Sequence, residues 1–447
     1  MDEISIWDLF KDFGFISSFL LIGVALRAKM PLVQKLFIPA SIIAGALGLI
    51  LGPNGFNIVL FSDFIADYPT VLIAVIFGAI PIGSVKTQWN KTFGKVRNMW
   101  TYSLIMELLM WGGGALFTVV VLNLITRLPE GFELILGAGY LGGHGTAAAI
   151  GEALSNLGWD EALTLGYTSA TVGVIVAVVG GLVLVNIYAR KNEANYISDF
   201  HELPYHLRTG LIKKEDRESM GTRTVASMVV DPLFFHLAIL CLVILASFYI
   251  KDFLEMLMPQ INIPMLSMAY VVGLIIQVIF RKLSITGYID KKVIDNLSGT
   301  ATDLLVAFGI ASIELSVVLN YAVPLIVLFT FGIILAFVIF RFIAPRFFGT
   351  DWFENALFGW GWSTGTVAMG LALLRIVDPD HKTTTLQDYS ISYIALVPFE
   401  VIIITFGPIM MIKGMGLIFG GTLVTLALVL YVVARSAGWL VPKNSHN

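Results

Sequence analysis

Two short stretches combine glycine with hydroxyl-bearing residues inside otherwise apolar sequence, and both have the composition of a small-solute site. The first reads GGHGT over 142–146, and the second reads STGT over 363–366. Glycine permits sharp turns and a close approach of a ligand to the backbone. Hydroxyl oxygens are neutral ligands for an ion or a carboxylate. The residue types therefore indicate a site for a small anion and a cation.

We expect each stretch to interrupt a helix, because a broken helix exposes backbone groups that bind ions. One half-helix ends in unpaired C=O groups, and the other begins with unpaired N–H groups. The N–H end suits a carboxylate, whereas the carbonyl end suits a small cation such as Na⁺. The predicted substrate-binding residues are Gly143, His144, Gly145, Thr146, Ser363, Thr364, Gly365 and Thr366. The predicted ion-binding residues are Gly142, Ser169, Thr171 and Glu400.

Isolated polar residues in apolar sequence are further candidates. Glu400 follows Pro398, which would break a helix and free a carbonyl. An acid at membrane depth costs a few kcal/mol, so we expect Glu400 to be a cation ligand or proton carrier, or else a partner of a backbone group. Glu107 is equally deep, but the triple glycine at 112–114 favours a helix-packing role. His144 either binds substrate or anchors its turn.

The composition requires a membrane. Of the 447 residues, 57% are hydrophobic and 13% are charged, whereas a soluble domain has about 25% charged residues. A spanning helix needs about 20 apolar residues. The net charge of −3 gives no indication of nucleic-acid binding, and the single Cys241 excludes a cysteine-ligated metal; we expect no cofactor. Eleven spans are predicted near 13–27, 36–52, 67–85, 99–125, 163–189, 230–250, 264–280, 298–319, 323–345, 390–412 and 414–434.

Both glycine stretches lie outside these spans, in amphipathic segments at about 132–156 and 354–376. Non-helical backbone survives at membrane depth only where protein or a polar cavity satisfies it, so we interpret both segments as re-entrant helical hairpins. With the N-terminus outside and the C-terminus cytoplasmic, 24 of the 28 Lys and Arg residues then fall on the cytoplasmic side. This distribution follows the positive-inside rule.

The two halves of the chain resemble each other. GHGTAAAIGEAL at 143–154 parallels STGTVAMGLALL at 363–374. Each half has five spans with a hairpin between the fourth and fifth, and the halves start on opposite sides, which is typical of inverted-repeat transporters. The predicted domains are a first repeat at 1–189, a cytoplasmic linker at 190–229, a second repeat at 230–412 and an extra C-terminal span with its tail at 413–447.

At these residues the chain resembles the bacterial sodium/glutamate symporter family. GGHGTAAA at 142–149 is similar to the family's GGHGTGAA pattern, and TSATVGVIVAVVGGLV at 168–183 resembles its ACATFGLVLGGLIGG stretch. The resemblance implicates the first stretch together with Ala170 and Thr171. It implies Na⁺-coupled glutamate uptake at the bacterial inner membrane, and a homodimer whose transport domains move elevator-fashion against a scaffold.

The second stretch departs from this family. The family reads like GFGLGATP where this chain has GWGWSTGT at 359–366. We expect Trp360 and Trp362 to flank the second break and to alter the pocket. The family also has ten spans, so the eleventh is an addition.

Alternative functions are a proton-coupled or exchange carrier for another small organic anion, and a membrane receptor without net transport. The sequence contains no HExxH, no GxSxG in a strand context and no Walker loop, which argues against an enzyme or an ATP-driven pump. An intramembrane hydrolase with Glu107 and Glu400 as its acid pair is a further alternative.

Overall fold

The computed structural model describes residues 5–36, 38–84, 89–189, 205, 209–257, 265–378 and 382–441. These residues contain helices and no strand, so the predicted all-α class is confirmed. The main helices are α1 (Ile6–Lys29), α2 (Ala40–Leu51), α3 (Tyr68–Ala79), α4 (Trp89–Phe117), α5 (Ile135–Tyr140), α6 (Gly143–Asn156), α7 (Ala162–Ala189), α8 (Pro232–Leu257), α9 (Met265–Lys282), α10 (Lys291–Ala311), α11 (Ala322–Val338), α12 (Trp352–Thr364), α13 (Val367–Val377), α14 (Thr385–Ile412) and α15 (Gly416–Ser436).

Short helical segments join some of these helices. Single turns of π-helix extend α4 at Thr118–Leu122 and α11 at Ile339–Ile343. The other short segments are Pro31–Lys35, Asp63–Ala66, Asn123–Ile125, Phe132–Leu134, Lys214–Asp216, Thr286–Tyr288, Leu315–Asn320, Ala344–Phe348 and Gly349–Asp351.

Nine helices within the described ranges are long and apolar enough to cross a bilayer, when the helical stretch Ala322–Thr364 is taken as one. Two shorter apolar helices, Ala40–Leu51 and Phe64–Ala79, lie where the second and third spans are predicted. A multi-pass membrane protein is therefore confirmed, although these two helices are shorter than the length usually needed to span a bilayer.

The predicted span at 298–319 was misplaced. The helix there, α10, begins at Lys291 and ends at Ala311. Its first turns are polar and escape a hydropathy search, yet Asp290 caps them by accepting hydrogen bonds from the backbone N–H of Lys292 and Val293 at 2.8 and 3.4 Å. Such a cap stabilises a helix start that apolar periodicity alone does not mark.

The described helices fall into two compact units. The first unit comprises 1–24, 39–87 and 212–312, and it contains most of α1 together with α2, α3, α8, α9 and α10. Its core has two apolar clusters, one around Val243 of α8 and one around Phe308 of α10. Gly45 of α2 lets the backbone approach α10 closely, because a Cβ there would lie 2.6 Å from Ile310 Cβ.

The second unit comprises 25–38, 88–211 and 313–447, and it contains α4 to α7 and α11 to α15. Both glycine stretches belong to this unit. The extra helix α15 packs on α4, where Gly112 and Gly420 allow a close crossing: a Cβ on Gly420 would lie 2.9 Å from the Gly112 carbonyl oxygen. Small residues at such crossings are common in membrane helix pairs.

Each unit draws helices from both halves of the sequence. The predicted division into successive domains at 1–189, 190–229, 230–412 and 413–447 is a different partition, made along the chain, and it stays a prediction. Most of the polar linker before residue 209 lies outside the described residues.

Candidate functional site

The first glycine stretch is a helix break, as predicted. Helix α5 ends at Tyr140 and α6 begins at Gly143, whose φ of +60° is in the left-handed region that favours glycine. Gly142 lies in the turn between them. A Cβ on Gly142 would lie 1.9 Å from Thr146 Oγ1, so only glycine fits here.

The first break meets the predicted ion ligand from α14. Thr146 Oγ1 donates a hydrogen bond of 3.1 Å to Glu400 Oε1, and Tyr393 OH lies 3.5 Å from Glu400 Oε2. Thr146 is buried, whereas Glu400 is partly accessible. The two residues are 254 positions apart in sequence, and the fold brings them together.

His144 is held by the following helix. Its Nε2 lies 3.1 Å from Thr171 Oγ1, and that hydroxyl donates to the Tyr167 carbonyl oxygen at 2.8 Å. A hydroxyl that gives its proton to a carbonyl can accept from an imidazole N–H. The contact anchors the break on α7 and occupies one acceptor position of the Thr171 hydroxyl oxygen.

Ser169 lies against the carboxyl end of α5. Its side chain is fully buried, and its Oγ has no hydrogen-bond partner within the described part of the chain. A Cβ on Gly139 would lie 2.3 Å from this oxygen, so the hydroxyl faces the last turn of α5. A buried hydroxyl without a partner is costly, so Ser169 stays a predicted ion ligand.

The second stretch is also a helix break. Helix α12 ends at Thr364 and α13 begins at Val367, with Thr366 as its N-cap; Thr366 Oγ1 accepts from Met369 N–H at 3.4 Å. The hydroxyls of Ser363 and Thr364 turn back to the Trp360 carbonyl oxygen, at 3.4 and 2.7 Å.

Two aromatic side chains lie in the last turns before this break. The indole N–H of Trp360 donates to the Ala177 carbonyl oxygen at 3.1 Å, and the ring of Trp362 lies 5.4 Å from that of Tyr389. GWSTG at 361–365 matches GxSxG, but its serine is buried within helix α12 and bonds to its own helix. The surroundings of a hydrolase nucleophile are therefore missing.

The two breaks touch each other. A Cβ on Gly143 would lie 2.8 Å from Thr366 Cγ2 and 3.3 Å from the Gly365 carbonyl oxygen. In contrast, apart from its own helix, no described residue lies within 4 Å of the Cβ position of Gly145, so this glycine borders open space beside the junction. The predicted residues of both stretches therefore converge on one location in the second unit.

Two residues at this location were not predicted to belong to it. Glu107 was assigned mainly to helix packing, yet it lies within electrostatic range of Glu400. Tyr389 was not singled out, yet it interacts with both acids. In the sequence, the signal that marked Glu107 was its position within a long apolar stretch. No group of three or more His, Cys, Asp or Glu side chains suited to a metal occurs among the residues that the structure describes.

The apolar spans and the paired helix breaks define the class as a multi-pass membrane protein with a broken-helix site. The profile of the sodium/glutamate symporter family matches residues 7–372, more than three-quarters of the chain. The chain belongs to the sodium/glutamate symporter family. The resemblance found in the sequence is thereby confirmed, and sodium-coupled glutamate transport is the function that membership gives. The match ends before α14 and α15, so Glu400 lies beyond it.

One solved structure similar to the chain is a sodium–proton antiporter from Methanocaldococcus jannaschii. It shares 19% identity with a TM-score of 0.38, and the alignment covers 98% of this chain and 100% of that one. Among curated proteins, none matches this chain.

Proposed function

We propose that the protein is a sodium-coupled symporter that takes up glutamate or a related acidic amino acid across the bacterial inner membrane. The observation that carries the proposal is the junction of two helix breaks beside an acidic side chain, Glu400, which the Thr146 hydroxyl contacts at 3.1 Å. Family membership supplies the coupling ion and the substrate class.

The substrate binds, on this proposal, at the amino ends of α6 and α13. Backbone N–H groups of a first helical turn and the helix dipole favour carboxylates. The open space beside Gly145 provides room next to these N–H groups. Thr366 caps α13 and orients its first turn toward the same location.

Na⁺ binds, on this proposal, between the first break and α14. Glu400 supplies negative charge, and Ser169 supplies a buried oxygen that has no partner in the described structure. Thr171 and the backbone carbonyl of Gly142 complete the oxygen-rich surroundings that a hard cation prefers. His144 positions the break through Thr171 and stays a candidate for the substrate.

Coupling follows from charge. An unpaired carboxylate at membrane depth costs about 3 kcal/mol on insertion scales. The unit that contains the site therefore crosses the apolar barrier poorly when Glu400 is ionised and no ion is bound. Na⁺ neutralises this charge and also favours a nearby anionic substrate. The ion thereby shifts the population toward the state that binds substrate and moves.

The unit that moves is, on this proposal, the one that contains both breaks. It consists of the fourth span, the hairpin and the fifth span of each predicted repeat, together with α15, whereas the other unit consists of the first three spans of each repeat. The same split in both halves supports two inverted repeats and an elevator-type movement of one unit against a scaffold. A homodimer, with the N-terminus outside and the C-terminus cytoplasmic, completes the proposal.

Uptake into proteoliposomes tests the function. With an inward Na⁺ gradient, we expect labelled glutamate or aspartate to accumulate, and gramicidin should abolish accumulation by dissipating the gradient. Comparing the uptake of dicarboxylates that have no amino group with the uptake of glutamate shows whether the site requires the amino group. Absence of accumulation of every acid under Na⁺ and H⁺ gradients contradicts the proposal, and accumulation under H⁺ alone identifies the proton-coupled alternative.

Cysteine labelling tests the re-entrant hairpins, because Cys241 is the only cysteine to remove. In a Cys241→Ser background, Pro129→Cys and Ser155→Cys flank the first break. An impermeant maleimide should label both from the same side of the membrane. Labelling from opposite sides would mean that the segment crosses the membrane, and the shared site would be lost.

A further inference from the structure

A second acid lies beside Glu400, on a helix that comes from the other end of the sequence. Glu107 of α4 is 4% exposed, and its Oε1 has no hydrogen-bond partner within the described residues. It interacts electrostatically with Glu400 of α14. The two helices are also in contact, since the Ser392 hydroxyl of α14 donates to the Val96 carbonyl oxygen of α4 at 3.4 Å.

Tyrosine hydroxyls surround this pair of acids. Tyr389 is 3% exposed, its hydroxyl has no partner in the described structure, and it interacts electrostatically with both Glu107 and Glu400. Tyr393 approaches Glu400 at 3.5 Å, and its ring stacks on that of Tyr389 with centroids 5.8 Å apart. The acids therefore face neutral oxygens.

Within the described part of the chain, neither acid has a Lys or Arg partner. In the described structure the Lys–carboxylate pairs are Lys11–Asp8, Lys251–Glu255, Lys291–Asp295 and Lys292–Glu218, and none of them involves either acid. Two neighbouring carboxylates in a low-dielectric interior repel each other, and each favours a bound cation over being left unpaired. The unpartnered oxygens of Glu107 and Tyr389 are the ligands that such a cation would need.

We propose that Glu107 joins Glu400 as the second acid of the Na⁺ site, with the hydroxyls of Thr146 and Tyr389 as additional neutral ligands. The proposal deepens the function proposed above and rests on it for the identity of the ion. Glu107 closes the buried end of the site, and the partly accessible Glu400 leaves a way in. Because Glu400 lies beyond residue 372, half of the charge comes from the part of the chain outside the family match.

Binding of ²²Na⁺ to the purified full-length protein in nanodiscs, without any organic acid, tests the site. We expect Glu107→Gln to raise the Kd for Na⁺ about 10- to 100-fold, because it removes a charged ligand. Glu107→Asp keeps the charge and should raise it less, and Tyr389→Phe, which removes one hydroxyl, should raise it several-fold. The matched control is Glu133→Gln, since Glu133 is equally buried and accepts its own hydrogen bond from Gly131 N–H at 2.8 Å.

The possible outcomes distinguish failure of this site from failure of the proposed function. Wild-type affinity for Na⁺ in Glu107→Gln overturns the site, and so does a wild-type protein that binds no Na⁺. If Glu107→Gln does not give a monodisperse protein, unchanged affinity in both Glu107→Asp and Tyr389→Phe overturns it instead. A wild-type protein that binds Na⁺ through Glu107 but accumulates no glutamate would contradict the proposed function and leave this site standing.

Discussion

The two helix breaks have similar sequences and different surroundings. In the first, the side chains of His144 and Thr146 reach other helices, to Thr171 and Glu400 respectively. In the second, Ser363 and Thr364 bond to their own helix. Both breaks offer backbone dipoles, but in the described structure the first is the one whose hydroxyl meets an acid.

A repeated motif need not repeat its chemistry. Gly145-Thr146 aligns with Gly365-Thr366, yet Thr146 contacts a carboxylate and Thr366 caps α13. We infer that cation binding depends on the first break and that the second contributes backbone and shape. Substitutions at matched positions of the two breaks test this inference.

The largest effect is expected for Glu400→Gln. It keeps the shape of the side chain and removes the charge, and removing one partner of an ion pair inside the protein costs about 3 kcal/mol, which is about 100-fold in Na⁺ affinity. The Na⁺ concentration for half-maximal uptake measures this effect. Glu133→Gln, which neutralises another buried acid, should behave like wild type. Unchanged Na⁺ dependence in Glu400→Gln would remove the acid from the site.

Gly143→Ala tests the contact between the breaks. The added Cβ would lie 2.8 Å from Thr366 Cγ2. In addition, alanine would have to adopt the left-handed φ of +60° that Gly143 has, which costs about 1–2 kcal/mol before any clash. We expect the maximal uptake rate to fall about tenfold or more while the protein still reaches the membrane. Gly421→Ala is the control, because its Cβ enters open space. Equal rates in the two variants would contradict a tight junction.

Thr146→Val compared with Thr366→Val separates the two roles directly. Loss of a hydrogen bond to a charged group costs about 1.5–3 kcal/mol, so Thr146→Val should raise the half-saturating Na⁺ concentration about tenfold or more. Thr366→Val loses an N-cap, which lowers the free energy of unfolding by about 1 kcal/mol, and it should leave Na⁺ dependence near wild type. Thr168→Val, whose hydroxyl bonds to the Thr164 carbonyl within one helix, is the control. A larger Na⁺ effect at Thr366 would reverse the comparison.

The smallest effect is expected for Thr364→Val. Its hydroxyl is fully buried and bonds at 2.7 Å to the Trp360 carbonyl, which an α-helix already satisfies. We expect less than about a twofold change in Na⁺ dependence or in glutamate KM. A tenfold change in either quantity would show that this hydroxyl binds a ligand during transport.

The sequence predicts the breaks well because their causes are local. Gly143 adopts the left-handed φ of +60° that favours glycine, and Thr366 caps α13, so both turns depend on residues at the breaks themselves. The acid Glu400 was also recognisable, because ionised groups are rare in apolar spans. These features depend on composition and on short spacing.

The missed features depend on distance in space. Glu107 and Glu400 are far apart in sequence, so neither periodicity nor spacing indicates that they converge, and from the sequence they were paired only as the acids of an alternative hydrolase. The direction of the Thr364 hydroxyl depends on the packing around α12. The start of α10 at Lys291 was missed for another reason, since a capped polar turn has no hydropathy signal.

The bond between Thr146 and Glu400 also constrains biogenesis. Ribosomes add about 5–20 residues per second, so the 254 residues between the two side chains take about 10–50 s to appear. During that interval the first hairpin and Glu107 are already synthesised while their partners on α14 do not yet exist. Insertion of the nascent chain must therefore keep an acid and a polar turn shielded until α14 is synthesised.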